Sequence, residues 1–126
     1  MTLNDNKAKH VLVVDDEQPI RDFLERALQH AGFSVSLAAD GNAALAALNE
    51  KHFDLVLTDI VMPDLDGITL SLKIAKDYPD TKIMMMTGYS NQKERAYNLD
   101  FLVDEVVSKP FTLEEITTRV TKALAA

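Results

Sequence analysis

The sequence contains no cysteine, which excludes disulfides, thiolate metal sites and a catalytic thiol in one step. It is short of positive charge: 13 Lys and Arg stand against 20 Asp and Glu, a formal net charge of -7. Binding nucleic acid by neutralising phosphates is therefore disfavoured. No apolar run reaches membrane-spanning length, and residues 1–9 are too polar to hold the apolar centre of a secretion signal. The chain is expected in the cytoplasm, off the membrane. Internal repeats, low-complexity stretches and linkers are also missing. What remains is 126 residues, 47% of them hydrophobic, enough for one core that removes roughly two-thirds of the unfolded surface from water. A flexible leader over 1–8 is expected to precede one domain over 9–126, and any output is expected to come from that domain itself.

His10 to Val14 is a continuous apolar run of β-branched character, the pattern of a strand buried on both faces of a parallel sheet. Pro19 suits a first helical turn, and Ile20, Phe23, Leu24, Ala27, Leu28 and Ala31 recur at helical spacing until Gly32 supplies a stop. Ser34 to Ala39 reads as a second strand, Asp40-Gly41-Asn42 as a turn or cap, Ala43 to Glu50 as a second helix and Leu55 to Thr58 as a third strand. A third helix should start near Asp66 or Gly67, bury Ile68, Leu72 and Ala75, and finish at Tyr78 before Pro79. Lys82 to Met86 is a fourth strand, with Met84-Met85-Met86 read as adaptable core filler. Asn91 to Leu99 gives a short fourth helix, Glu105 to Ser108 a fifth strand, and Thr112 to Ala125 a last helix opened by the capping box Thr112 and Glu115. Five strands alternating with five helices call for an α/β fold, a parallel sheet with helices on both faces.

In such sheets ligands sit beyond the carboxyl ends of the strands, at the switch point of the strand order. Strand one ends in Asp15 and Asp16, strand three in Asp59, strand four in Thr87 and strand five in Lys109. In the common order 2-1-3-4-5, strands one and three are neighbours at the switch point, so three carboxylates would converge. Like charges held close repel unless a cation compensates them, which implies a divalent metal. Oxygen-only ligands point to a hard ion, Mg²⁺. A carboxylate beside Mg²⁺ can act as a nucleophile in phosphoryl transfer, with a hydroxyl (Thr87) and an ammonium (Lys109) neutralising the transferring group. Each piece has a plainer reading. Asp15-Asp16 could cap helix one, Asp59 could start a loop, and Asp64-Leu65-Asp66-Gly67 could be a turn. It is their sequential order, each directly after its strand, that favours one site. His10, His30 and His52 lie at no ligand spacing and read as surface or strand-edge residues.

Val-Val-Asp-Asp-Glu (13–17), Thr-Asp-Ile-Val-Met-Pro-Asp-Leu-Asp-Gly (58–67), Thr87-Gly88 and Ser-Lys-Pro-Phe (108–111) closely resemble the receiver domain of two-component response regulators, over residues 9 to 125. The resemblance implies a flavodoxin-like three-layer fold in which Asp59 accepts a phosphoryl group from a histidine kinase or phosphotransfer protein. It implies that Asp16 and Asp59 bind Mg²⁺ directly, Asp15 through water, and Val61 through its backbone carbonyl. Thr87 would bond the phosphoryl group and move toward it, Lys109 would pair with a phosphoryl oxygen, and the bond before Pro110 would be cis. A downstream protein target would then be engaged through the fourth helix, fifth strand and last helix, in a signalling protein that modifies only itself.

Two places depart from the family pattern. Val106 stands where an aromatic ring is usual, and Leu102-Val103 replaces the usual Gly-Ala. Coupling through an inward-turning ring is therefore expected to differ, with Tyr89 filling part of that role. Val61 and Tyr89 also flank the route by which water would reach a phosphorylated Asp59, and neither offers acid-base help. Slow self-dephosphorylation is expected.

Thr-Asp-Ile-Val-Met-Pro (58–63), Lys-Ile-Met-Met-Met-Thr-Gly-Tyr (82–89) and Val-Val-Ser-Lys-Pro-Phe (106–111) resemble the single-domain receivers of alphaproteobacterial cell-cycle control, some of which prime substrates for the ClpXP protease when unphosphorylated. That likeness implies a protease or its substrate as partner. The competing readings are a receiver cut from a larger transcriptional regulator, a phosphorelay intermediate, a phosphorylation-silent interaction module, and a Mg²⁺ phosphatase of the haloacid dehalogenase type. The last expects an Asp-x-Asp at the end of strand one, where this chain has Asp15-Asp16.

Overall fold

The computed structural model describes residues 9–63, 65–88 and 103–125. The leader 1–8, Asp64, Tyr89, the helix expected at 91–99 and Leu102 lie outside them. Five strands form one sheet: β1 (His10–Val14), β2 (Ser34–Ala38), β3 (Leu55–Asp59), β4 (Lys82–Thr87) and β5 (Glu105–Ser108). All neighbours are parallel and the spatial order is β2-β1-β3-β4-β5, the 2-1-3-4-5 arrangement expected. Among the described residues there are four helices: α1 (Gln18–His30), α2 (Gly41–Glu50), α3 (Gly67–Asp77) and α4 (Leu113–Leu124).

The unbroken apolar strands follow from burial on both faces. Val11 and Val13 pack with Leu24 and Leu28 of α1 and Ile116 and Val120 of α4. Leu12 and Val14, pointing the other way, pack with Ala44 and Leu48 of α2 and Leu70 and Ile74 of α3. The methionine run obeys the same two-residue period. Met84 and Met86 lie in the first of these layers and Met85 in the second, all fully buried. The run is core.

Local chemistry sets the helix ends. Gly32, at φ +102, turns the chain out of α1 in a conformation other residues rarely adopt. Ala31, expected on the apolar face, is exposed there as the C-cap. Asp40 accepts a bond from the Ala43 N–H, so α2 begins at Gly41, two residues earlier than its apolar pattern suggests. Thr112 and Glu115 exchange both bonds of the capping box at the head of α4.

The buried face of α3 differs from expectation. Leu72 is 46% exposed, Ile68 and Ala75 are half-buried, and Leu70, Ser71 and Ile74 are buried instead. The cause is Gly67. Its N–H donates to the Ile60 carbonyl at 2.7 Å, and a Cβ there would lie 2.0 Å from the Asp59 carbonyl oxygen. The helix must therefore present its Gly67 side to the end of β3, and positions three, four and seven residues on follow it inward.

Candidate functional site

Register brings the strand ends level. Val14 pairs with Thr58, Asp59 with Met86 and Thr87 with Ser108, so Asp15, Asp59, Thr87 and Lys109 emerge along one edge of the sheet. Asp59 and Thr87 are the last residues of their strands, one further than the sequence pattern indicated. The Lys109 N–H donates to the Thr87 carbonyl at 2.7 Å, which prolongs the β4–β5 ladder by one bond and points the lysine back along the edge. The Lys109–Pro110 peptide bond is cis.

Asp15, Asp16 and Asp59 each offer a carboxylate oxygen, and these oxygens lie within 4.8 Å of one another. Lys109 Nζ donates to Asp15 Oδ2 at 2.9 Å and lies 3.5 Å from Asp59 Oδ1. Asp15 is fully buried, and its other oxygen accepts the Glu17 N–H at 2.9 Å. This is not helix capping: the N-cap of α1 is Glu17, whose side chain makes no capping bond. Asp59 Oδ1 accepts its neighbour's N–H, from Ile60, at 3.0 Å. Thr87 is buried beside the cluster.

Burial pushes the Asp59 carboxyl up to about 6, with the Asp15 charge adding to the rise and Lys109 and the Ile60 N–H opposing it. For Lys109, burial favours the neutral amine, yet the bond to Asp15 and the charges of Asp59 and Asp15 outweigh it and hold the ammonium above its usual range. The lysine stays charged and Asp59 is poorly compensated.

That imbalance sets a pH dependence. Because the folded carboxyl titrates near 6, above its ordinary 3.8, the folded state holds this proton more tightly than the unfolded chain. Its contribution to stability is present at low pH and is lost as pH rises through 6. In EDTA, Asp59→Asn should therefore exceed wild type in stability at pH 7.5 by about 1–2 kcal/mol after allowance for screening at the site's open side. The gap should close by pH 4 in urea titrations at both pH values. Equal stability at pH 7.5 would contradict it.

The donor set suits a hard divalent cation: three carboxylates, no sulfur, no imidazole, and an excess of negative charge at Asp59 that one lysine leaves unmet. The cluster opens on a cleft of about 670 Å³ whose lining includes the polar Asp16, Asp59 and Lys109 and the apolar Val61, Ile20, Phe23 and Phe111. Asp15, fully buried, is not part of the lining. Val61 is 51% exposed.

Every site residue expected from the sequence is thus near the edge, with Tyr89 outside the described residues. His30 and His52 are exposed, and His10 opens β1 at the opposite end of the sheet. Two contributors carried no sequence signal. Arg21 Nη1 donates to the Asp15 carbonyl at 2.7 Å, and Arg21 lies outside both the apolar pattern of α1 and the motifs at the strand ends. Phe23 packs on Phe111, ring centres 6.2 Å apart, and both line the cleft; helical spacing places Phe23 on the core stripe without marking it as a site residue.

A doubly wound parallel sheet with a carboxylate cluster and a lysine at its switch point defines a flavodoxin-like fold carrying an acidic site suited to a hard cation. The chain belongs to the response regulator receiver domain family, whose pattern matches residues 11–121. It is similar to a CheY-like receiver domain protein from Methanospirillum hungatei JF-1 (30% identity over 94% of this chain and 95% of that one, TM-score 0.88). It is also similar to the response regulator TrrA from Thermotoga maritima, solved in complex with Mg²⁺ and BeF (37%, 90% and 97%, TM-score 0.82). The chemotaxis response regulator CheY4 of Vibrio cholerae matches at 29% identity over 94% of this chain and all 100% of its own, TM-score 0.86. Receiver domains are signalling units that interact with histidine kinases or phosphotransfer proteins and bind Mg²⁺ at an acidic pocket. No described helix is long and apolar enough to cross a membrane.

Proposed function

We propose that this chain is a cytoplasmic single-domain response regulator in which Asp59 accepts a phosphoryl group from a histidine kinase or phosphotransfer protein. The observation that carries this reading is the Lys109 ammonium set between Asp15 at 2.9 Å and Asp59 at 3.5 Å, at the mouth of a cleft large enough for a phosphohistidine side chain. An Asp59 oxygen attacks phosphorus, the O–P bond forms as the donor's P–N bond breaks, and the bonding pair leaves with the imidazole nitrogen, which takes up a proton. With a carboxyl that titrates near 6, Asp59 is mostly ionised at neutral pH and ready to attack. Lys109 can shift from Asp59 to a phosphoryl oxygen while its bond to Asp15 holds it in place, and the Thr87 hydroxyl is assigned a second oxygen. Asp16, Asp59 and the Val61 carbonyl would hold Mg²⁺, with Asp15 acting through water. The bound ion supplies neutralisation of charge on the transferring group.

Asp15 has both carboxylate oxygens engaged by Lys109 and Glu17, which disfavours a phosphatase using strand one as its nucleophile. Output is assigned to a protein target, through segment 91–99, β5 and α4. Population shift between two states would change affinity there. The finer likeness to cell-cycle receivers makes a protease or its substrate the target class.

The test is incubation with acetyl phosphate or phosphoramidate, with and without Mg²⁺, for wild type and Asp59→Ala, read by intact mass. A Mg²⁺-dependent phosphoryl adduct lost in the variant is expected. Its absence in wild type, with Mg²⁺ binding shown separately, would leave a phosphorylation-silent binding domain.

Decay of that adduct should be slow. The apolar Val61 lines the cleft beside Asp59 and has no group to orient a water for in-line attack. Val61→Asn should speed loss of the adduct several-fold in a mass time course, and an unchanged decay rate would remove Val61 from the account.

A further inference from the structure

We propose that Arg21 is a positioning residue for the cation site: by holding the peptide group between Asp15 and Asp16, it sets the direction of the Asp16 carboxylate without touching a reacting atom. The inference rests on the phosphoryl-acceptance reading above.

Arg21 lies in the first turn of α1, where its N–H donates to the Glu17 carbonyl at 3.1 Å. Its side chain turns back over the helix start, and Nη1 donates to the Asp15 carbonyl at 2.7 Å. That oxygen belongs to the peptide plane carrying the Asp16 nitrogen. Because the plane is rigid, anchoring its oxygen fixes the direction in which the chain enters Asp16. The rest of Asp15 is held as firmly: its N–H donates to the Ala38 carbonyl at 3.2 Å, Oδ1 accepts from the Glu17 N–H and Oδ2 from Lys109 Nζ, both at 2.9 Å.

Asp16 is different. It is exposed, on the wall of the cleft, and its neighbour Glu17 caps α1 without any side-chain bond. Order in this turn therefore comes from Asp15, and the bond from Arg21 is the part of that order applied to the peptide leading into Asp16. A carboxylate oriented before the cation arrives loses less freedom on binding.

The sign of the effect separates this role from simple electrostatics. The Arg21 charge repels a divalent cation, so losing charge alone would tighten Mg²⁺ binding; losing the anchor weakens it. The experiment is calorimetric Mg²⁺ titration of the full chain at physiological salt, with urea unfolding in EDTA alongside. Arg21→Met is expected to weaken Mg²⁺ binding about tenfold, the low end for loss of an outer partner at a metal site. Arg21→Lys, which keeps the charge and one donor, recovers part of that loss. Phosphorylation from acetyl phosphate should slow at low Mg²⁺ and approach the wild-type rate when Mg²⁺ saturates.

Arg21→Met with unchanged or tighter Mg²⁺ binding overturns the inference, as does a loss of stability in EDTA at wild-type Mg²⁺ affinity. If wild type binds Mg²⁺ but forms no adduct on Asp59, the functional reading fails while the Mg²⁺ comparison still decides the role of Arg21. If wild type binds no Mg²⁺, both fail.

Discussion

Lys109→Met is expected to cost the metal-free protein about 2–4 kcal/mol of stability at neutral pH, the scale for stripping the partner from a buried charge at a site partly open to water. Asp15 has no exposed surface, and Lys109 is its ion-pair partner, at 2.9 Å. Without the ammonium, the Glu17 N–H is the remaining bond to the Asp15 carboxylate among the described residues, and its charge repels that of Asp59 with the ion pair gone. Two features distinguish this loss from a packing defect. Saturating Mg²⁺ should restore a substantial part of it, because a cation again compensates the cluster; at ten times its dissociation constant a ligand contributes about 1.4 kcal/mol. Acidification should also narrow the gap. Removing the lysine leaves burial and Asp15, which raise the Asp59 carboxyl, against the Ile60 N–H, so the variant gains stability as pH falls below neutrality. Urea titrations in EDTA and in Mg²⁺, at pH 7.5 and 5, check all three points. A variant as stable as wild type in EDTA would show that the pair contributes nothing net.

Gly67→Ala is the second large effect, and it acts on a residue with no chemical role. The added Cβ would lie 2.0 Å from the Asp59 carbonyl oxygen and 2.9 Å from Ile60 Cα. Both are backbone, so no side chain can swing aside. Either α3 lifts from the sheet, giving up the burial of Leu70 and Ile74, or the end of β3 shifts and carries Asp59 with it. A cost of about 3–5 kcal/mol is expected from such overpacking against main chain, together with a marked fall in the rate of phosphorylation by acetyl phosphate. Thermal unfolding and an intact-mass time course read the two effects separately. A folded variant phosphorylated at the wild-type rate would mean that the loop yields without moving Asp59.

Much of the fold was legible because each strand carries its own signature. Val11 to Val14 and Leu55 to Leu57 are apolar at every position, a pattern that suits a strand covered on both faces, and the turn chemistry of Asp40-Gly41 and Gly32 marks where helices begin and end. The face of α3 was misread for an identifiable reason. Apolar residues alone select Ile68, Leu72 and Ala75, whereas the helix is phased by the smallest residue, Gly67, against the backbone of β3, and that contact turns the polar Ser71 inward. Arg21 was missed because a bond from a helix side chain to a main-chain carbonyl six residues earlier leaves no trace in apolar spacing.

By itself the sequence determined which group stands at four of the strand ends: a carboxylate pair after β1, one carboxylate on β3, a hydroxyl on β4 and an ammonium after β5. Those assignments need only the local apolar period and its interruption. The tertiary structure alone decided how those groups face each other. Parallel pairing of β1 with β3 in the register Val14 to Thr58 sets Asp15 level with Asp59. The register Thr87 to Ser108 carries Lys109 to the same edge, where it meets Asp15 across a separation of 94 residues. The division is physical: which residue follows a strand is a property of neighbours along the chain, but convergence of charges depends on hydrogen-bond register between segments far apart in sequence. Burial of that convergence, and the rise of the Asp59 carboxyl that it causes, exists only once the sheet has formed.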